Sequence, residues 1–166
     1  SLKAGASNSG IINFGDPADD NAGQFYYYNA SNCFRWTTNG SADRMTLDSS
    51  GRLLVGSTAS KTIAITAASP QIQLEGVGSN ASSFAIICNQ NAVAGSVICL
   101  GKTRGGAVGG TTVVQSGDHL GHISFEGSDG SNQRMAARIA SFVDGTPGSS
   151  DMPGRLTFFT TPDGSA

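Results

Sequence analysis

The stretch Met45-Thr46-Leu47-Asp48-Ser49-Ser50-Gly51-Arg52-Leu53-Leu54-Val55 decides the fold class of this chain. On both sides of Asp48-Ser49-Ser50-Gly51, apolar residues recur at every second position, which is typical of a strand with one buried face. Asp and Ser favour the side-chain-capped turn, and Gly supplies the positive φ that a tight reversal needs. The stretch therefore predicts a β-hairpin.

The rest of the chain shows the same organisation of short apolar strands separated by Gly, Asn, Asp or Ser. Residues 132–143 also have helical propensity around Met135, but alternation and the pair Phe142 and Val143 favour a strand. We predict strands at 11–14, 24–29, 33–38, 44–47, 52–55, 71–75, 83–88, 96–100, 112–115, 119–126 and 132–143, and a weak one at 62–66. The sequence therefore predicts an all-β chain of short antiparallel strands.

Part of this strand pattern occurs twice. The motif Gly10-Ile11-Ile12-Asn13-Phe14-Gly15-Asp16 returns from Gly121 to Asp129, and Thr37 to Ala42 returns from Thr160 to Ala166. The second copy carries an additional surface loop from Asp144 to Gly154, and no counterpart of 43–56 follows Ala166. We therefore predict a first β repeat unit at 1–56, a connecting segment at 57–70, a middle β segment at 71–116 and a second, incomplete unit at 117–166, cut from a longer protein.

Composition indicates a chain with a small core of its own. Apolar residues are 38% of the 166 residues, charged residues are only 13%, and 23 residues are Gly. Regular apolar strands distinguish this composition from that of a disordered chain. Repeated β units with little core bury strand faces and edges against copies of themselves, so we predict a homo-oligomer.

Charge and cysteine content exclude several partner classes. A net charge of −2 with scattered basic residues argues against binding to nucleic acid, and no apolar run is long enough to insert into a membrane. Three cysteines without CxxC spacing predict neither a disulfide framework nor a zinc site. We interpret Cys33, Cys88 and Cys99 as reduced core or interface residues, and we predict no cofactor.

Two groups of residues carry side chains that can bind metal ions. The segment Asp16-Pro17-Ala18-Asp19-Asp20-Asn21 is rich in oxygen ligands but lacks the spacing of a calcium loop, so we interpret it as a solvated turn. His119 and His122 are three residues apart, which on a regular strand places them on opposite faces. We therefore predict no metal site.

No combination of residues specifies a catalytic centre. The two glutamates, Glu75 and Glu126, lie at the ends of separate predicted strands, which argues against the carboxylate pair of a glycosidase. The Gly-rich segment 105–110 lacks the order of a phosphate-binding loop. We predict that the chain is not an enzyme.

Tyr26, Tyr27, Tyr28 and Trp36 are the best candidates for binding. Successive strand residues point to opposite faces, so at least one of the three tyrosines must point outward. Aromatic rings stack on sugars and also dominate oligomer interfaces. We predict receptor or interface contacts here, and we favour packing against a neighbouring chain.

Several long motifs resemble those of bacteriophage tail-fibre proteins. The matching segments are Gly117 to Gly130, Ala136 to Ile139, Asp144 to Gly148, Asp151 to Phe158 and Ala42 to Gly56, whereas Ser57 to Ala107 match more loosely. The resemblance implies a parallel homotrimer of intertwined β units, a fibre or knob, in the distal tail of a virion. Many such proteins end in a self-cleaving chaperone domain, but nothing in this sequence is similar to that domain.

The expected function is accordingly that of a structural component of a phage tail fibre involved in host attachment, located in the virion. Its expected partners are other copies of the chain and other tail proteins, with a host surface saccharide or protein as a further possible partner. The alternatives are a receptor-binding or polysaccharide-binding fibre tip, a capsule depolymerase, and a capsid decoration or fibre protein.

Overall fold

The computed structural model describes residues 3–40 and 42–164. Ser41, Ser165 and Ala166, which belong to the repeated motif at Thr37 to Ala42 and Thr160 to Ala166, lie outside the described residues. Within them the chain is all-β, which confirms the predicted class. The strands are β1 (Ser9–Asp16), β2 (Asp19–Tyr28), β3 (Cys33–Thr38), β4 (Ala42–Leu47), β5 (Leu53–Val55), β6 (Ile72–Leu74), β7 (His119–Ser128), β8 (Gln133–Val143) and β9 (Gly154–Thr160), with a 3₁₀ turn at Ser79–Ala81.

The first sheet has six strands in the order β1-β2-β3-β4-β5-β6. Each strand from β1 to β4 pairs antiparallel with the next, because short turns join these strands. The last pair, β5 and β6, is parallel. This pair departs from the predicted antiparallel pattern, and the long connection between the two strands, residues 56–71, makes parallel pairing possible.

The predicted hairpin joins β4 to β5 through Asp48. Its Oδ1 atom accepts hydrogen bonds from the amides of Ser50 at 2.9 Å and Arg52 at 3.0 Å, and Oδ2 accepts one from Arg52 Nε at 2.7 Å. Gly51 adopts a φ of 77°, which a side chain would strain. The local sequence therefore produces the reversal that its composition predicts.

The second sheet is an antiparallel meander of three strands in the order β7-β8-β9. β8 confirms the strand predicted at 132–143, whereas β9 has no counterpart among the predicted strands. The chain divides into two compact units, Ser1–Ile63 with Ala67–Ala85 and Ala64–Thr66 with Ile86–Ala166. The first sheet belongs to the first unit, and the second sheet to the second.

Four predicted strands are absent from the structure. Residues 83–88, 96–100 and 112–115 have no strand partner in the described chain, and 62–66 contribute only an isolated bridge between Ile63 and Ala68. A strand needs a neighbour for its backbone N–H and C=O groups, and this chain does not supply one there. These predictions were wrong for the single chain.

The core is small, as composition predicts. Among the described residues, Leu54 and Val143 are fully buried, and Cys33, Val114 and Ala140 nearly so. Cys33 is buried, as predicted for a core residue, whereas Cys88 and Cys99 are exposed and do not belong to the core. A place for these two cysteines in an interface stays a prediction. No helix in the described part of the chain is long and apolar enough to cross a membrane.

Candidate interaction surface

An aromatic cluster lies on one face of β2 and β3. Alternation places Phe25 and Tyr27 on the same face of β2, where Phe25 pairs with Trp36 and Tyr27 with Phe34. The ring centroids of Phe25 and Trp36 are 4.9 Å apart, and those of Tyr27 and Phe34 are 4.8 Å apart. Phe25 also stacks on Phe34 at 5.4 Å. These four rings are called the aromatic cluster below.

The aromatic cluster is the centre of an apolar face that runs across all six strands. Strand register aligns two rows of side chains, and several of them are exposed, including Ile72 at 73%. A sheet face of this kind is normally covered by another layer, because exposing it to water is unfavourable. The two rows of the apolar face are Ile12, Phe25, Trp36, Met45, Val55 and Leu74, and Gly10, Tyr27, Phe34, Leu47, Leu53 and Ile72.

A cavity of about 480 Å³ opens on this face beside β1 and β2. Aromatic and aliphatic side chains form much of its wall, while a lysine and an asparagine add polar groups. Such a mixture suits an amphipathic ligand or a packed side chain. The lining residues are Lys3, Ala4, Gly10, Ile12, Phe25, Tyr26, Tyr27, Asn29 and Phe34.

The opposite face of the same strands carries a polar network. Asp43 accepts a hydrogen bond from Tyr26 Oη at 2.6 Å and forms an ion pair with Arg35 at 2.8 Å. The Arg35 guanidinium also lies 5.0 Å from the centre of the Tyr28 ring. Burial and the Asp43 carboxylate both raise the pKa of Tyr26, so its hydroxyl remains a donor.

The four predicted contact residues therefore do not form one site. Tyr27 and Trp36 belong to the apolar face, whereas Tyr26 and Tyr28 belong to the polar network on the other side. Sequence reasoning missed Phe25 and Phe34, although both alternate with the chosen residues and thus share the face of Tyr27 and Trp36. Only the pairing of β2 with β3 shows that these rings meet.

The second sheet also has an exposed apolar face. Ile123, Ile139 and Phe158 are paired across the three strands. Phe125 lies two residues from Ile123 on β7, and Leu156 lies two residues from Phe158 on β9, so both share this face. Phe158 is 74% exposed and Leu156 is 60% exposed. We call these five residues the second apolar face.

The two histidines lie closer together than the sequence predicts. A β-bulge between His119 and Gly121 interrupts the alternation of β7, so the ring centroids of His119 and His122 are 5.5 Å apart. The prediction that they lie on opposite faces was therefore wrong. His119 also packs on Phe142 at 4.1 Å, and burial lowers its pKa, with further lowering by the Arg138 and His122 charges.

Most of the carboxylates considered in the sequence are occupied by neighbouring donors. Asp16 Oδ1 accepts hydrogen bonds from the amides of Ala18 and Asp19, as in a capped turn. Glu75 pairs with Lys61. The described residues contain no group of three or more His, Cys, Asp or Glu side chains that could hold a metal ion.

Glu126 holds the turn at 64–66, which belongs to the second unit. Its carboxylate accepts hydrogen bonds from the amides of Ala64 at 2.9 Å and Ile65 at 3.2 Å, and from Ser124 Oγ at 3.1 Å. Partial burial alone would raise the pKa of this carboxyl, but the hydrogen bonds outweigh burial and lower it. Glu126 thus acts as a structural acceptor.

Comparison of the chain with protein-family models and with curated proteins gives no match.

Proposed function

We propose that this chain is a non-enzymatic structural segment of a bacteriophage tail fibre, which assembles with copies of itself and contributes to host attachment. The observation that carries the proposal is the apolar face of the first sheet, on which Ile12, Phe34, Leu47, Ile72 and Leu74 are exposed. A second copy of the chain is a suitable partner for this face, because it carries the same apolar face and both copies gain apolar burial when the faces pack together. The tail fibre itself is proposed from the motif resemblance.

The exposed area supports assembly. The accessible surface of a folded monomer scales with its mass, and two separate compact bodies, each with half the mass of this chain, would together expose about 9,300 Å². The chain exposes 11850 Å². The excess of about 2,500 Å² per chain is in the range that obligate interfaces bury.

The proposed mechanism is mechanical. Copies of the chain, three in number if the resemblance holds, cover each other's apolar faces and form a stiff β-rich segment. Such a segment holds its exposed loops or a neighbouring receptor-binding domain at the distal tail. Three identical copies would bind a cell surface at three sites at once, so that contacts that are weak individually give a high overall avidity.

The assembly is tested by light scattering on the purified chain at micromolar concentration. We expect a mass of three times 16.9 kDa. A folded monomer would contradict the proposal. The location is tested by imaging phage particles with antibody against the chain: labelling of the tail tip supports a fibre, whereas labelling of the head would favour a capsid decoration protein.

The cavity beside the aromatic cluster favours one second candidate, a saccharide-binding fibre tip. Sugar rings stack on aromatic side chains, and Lys3 could bind hydroxyl or acidic groups. A glycan array with the assembled chain tests this candidate. Binding that is lost in Tyr27→Ala but retained in Tyr28→Ala, on the other face, would support it, and no binding by a fully assembled chain would contradict it.

A further inference from the structure

Residues 83–103, called the arm, form no backbone-to-backbone hydrogen bond with the described residues. Their side chains are exposed as well, including Phe84 at 78% and Ile87 at 77%. Folded proteins rarely leave so many consecutive backbone groups to solvent beside large apolar side chains. The arm is therefore the part of the chain with the greatest unmet need for a partner.

The composition of the arm is that of strands. No charged residue occurs between Glu75 and Lys102, and the stretches 83–88 and 96–100 are rich in Phe, Ile and Val. Flexible linkers are polar or charged and poor in such residues. The arm thus has the sequence of a strand but lacks a neighbour.

The C-terminal end of the arm is anchored in the second unit. The Cβ atom of Leu100 lies where a side chain at Gly121 would be, 2.6 Å from an ideal Cβ position there. Arg104 then forms a two-pronged ion pair with Asp118 at 2.7 and 2.8 Å. Between the stretches, Gln90 Nε2 donates to Ala94 O at 2.9 Å. Of the two stretches, 96–100 is therefore the one that packs on its own β7.

One sheet edge is open and unprotected. Among the described residues, β9 pairs only with β8; it shows no bulge and contains Leu156, Phe158 and Phe159. The other edge strands have the features that block edge pairing: β1 and β7 are bulged, and β6 has only three residues. β9 is thus the edge best suited to accept another strand.

We infer that residues 83–88 of the arm add as a strand to the open edge of β9 in a second copy of this chain. The inference rests on the proposed self-assembly and specifies its contact. Each copy carries one such strand and one open edge. In a closed ring of identical copies, every arm strand therefore pairs with the β9 edge of the next copy, and no edge is left unpaired. The uncharged arm matches an apolar edge, and pairing provides partners for its backbone groups.

Hydrogen–deuterium exchange on the full chain tests this inference, with light scattering on the same sample. We expect the amides of 84–88 to exchange roughly a hundredfold more slowly than in an unstructured peptide. An assembled chain with unprotected amides there would overturn the arm inference and leave the proposed function standing. A monomeric chain would overturn both.

Variants identify the contact. Ile86→Pro removes one amide donor and should abolish the protection of its neighbours, whereas Val93→Pro, in the exposed loop between the two stretches, should retain it. Single cysteines placed in turn at Leu156, Thr157, Phe158 and Phe159 of β9 scan the register, and at least one should form a disulfide with the native Cys88 of another chain, seen as linked chains on a non-reducing gel and absent after Cys88→Ser. Assembled proteins that give no linked chains at any of these four positions would also overturn the inference.

Discussion

Asp48 accounts for the tight reversal between β4 and β5. Partial burial alone would raise the pKa of its carboxyl, but hydrogen bonds from the Arg52 and Ser50 amides and the Arg52 guanidinium lower it. The folded state therefore favours the ionised form. The stability that Asp48 contributes is present above its unfolded pKa of about 3.9 and is lost as pH falls through the lower folded value.

Asp48→Ala should lower the free energy of unfolding by about 1–3 kcal/mol, because two backbone amides and the Arg52 side chain lose a charged acceptor. Urea denaturation at neutral pH measures this change. Asp20→Ala is the matched control, since the Asp20 side chain is exposed and forms no ion pair in the described chain. Equal effects of the two substitutions would contradict this role of Asp48.

His119 should make the second unit sensitive to acid. Burial and the nearby Arg138 and His122 charges lower its pKa in the folded state. Its contribution is therefore present above the unfolded value of about 6.5 and is lost as pH falls below it. Urea midpoints should decrease from pH 8 to pH 5, less steeply in His119→Gln than in His122→Gln. An unchanged slope in His119→Gln would refute the assignment.

At the scale of elements, β7 depends on the absence of a side chain at Gly121. A Cβ atom there would lie 2.6 Å from Leu100 Cβ, so Gly121→Ala should cost about 1–3 kcal/mol through overpacking. Gly127, on the same strand, has open space around it. Gly127→Ala should therefore have little effect. Thermal or urea unfolding compares the two variants, and similar stabilities would show that Leu100 does not pack there.

The apolar face of the first sheet should determine assembly rather than the folding of one chain. Ile72 is 73% exposed, so Ile72→Asp changes little within the monomer. In an assembly it would bury a charge and should weaken association at least about a hundredfold. Val77→Asp, at a fully exposed position outside the face, is the control. Sedimentation at several concentrations separates them, and normal assembly of Ile72→Asp would exclude β6 from the interface.

At the scale of the whole molecule, the proposed assembly is mainly apolar. The apolar face carries no charged side chain, so raising NaCl from about 0.05 M to about 1 M should not dissociate it. Light scattering in both buffers measures the mass. Dissociation at high salt would instead indicate an interface held by ion pairs.

Local sequence predicted most of the strands and turns correctly. The Asp48 turn and the alternation of β2 and β8 depend on neighbouring residues, so they could be recognised without knowledge of the fold. The same alternation predicts that Tyr27 lies on one face of β2 and that Tyr26 and Tyr28 lie on the other. It could not show that Phe25 and Phe34 complete the aromatic cluster, because this depends on how β2 pairs with β3.

The sequence by itself determined the all-β class and the small core, because periodicity sets the type of element and composition limits how large a core the chain can build. Tertiary structure decided which strands have partners and where the apolar surface lies. It brought His119 near His122 through a bulge, and it left residues 83–88 and 96–100 unpaired despite their strand-like sequence. Strand pairing is a long-range property, since a strand exists only where another backbone meets its donors and acceptors.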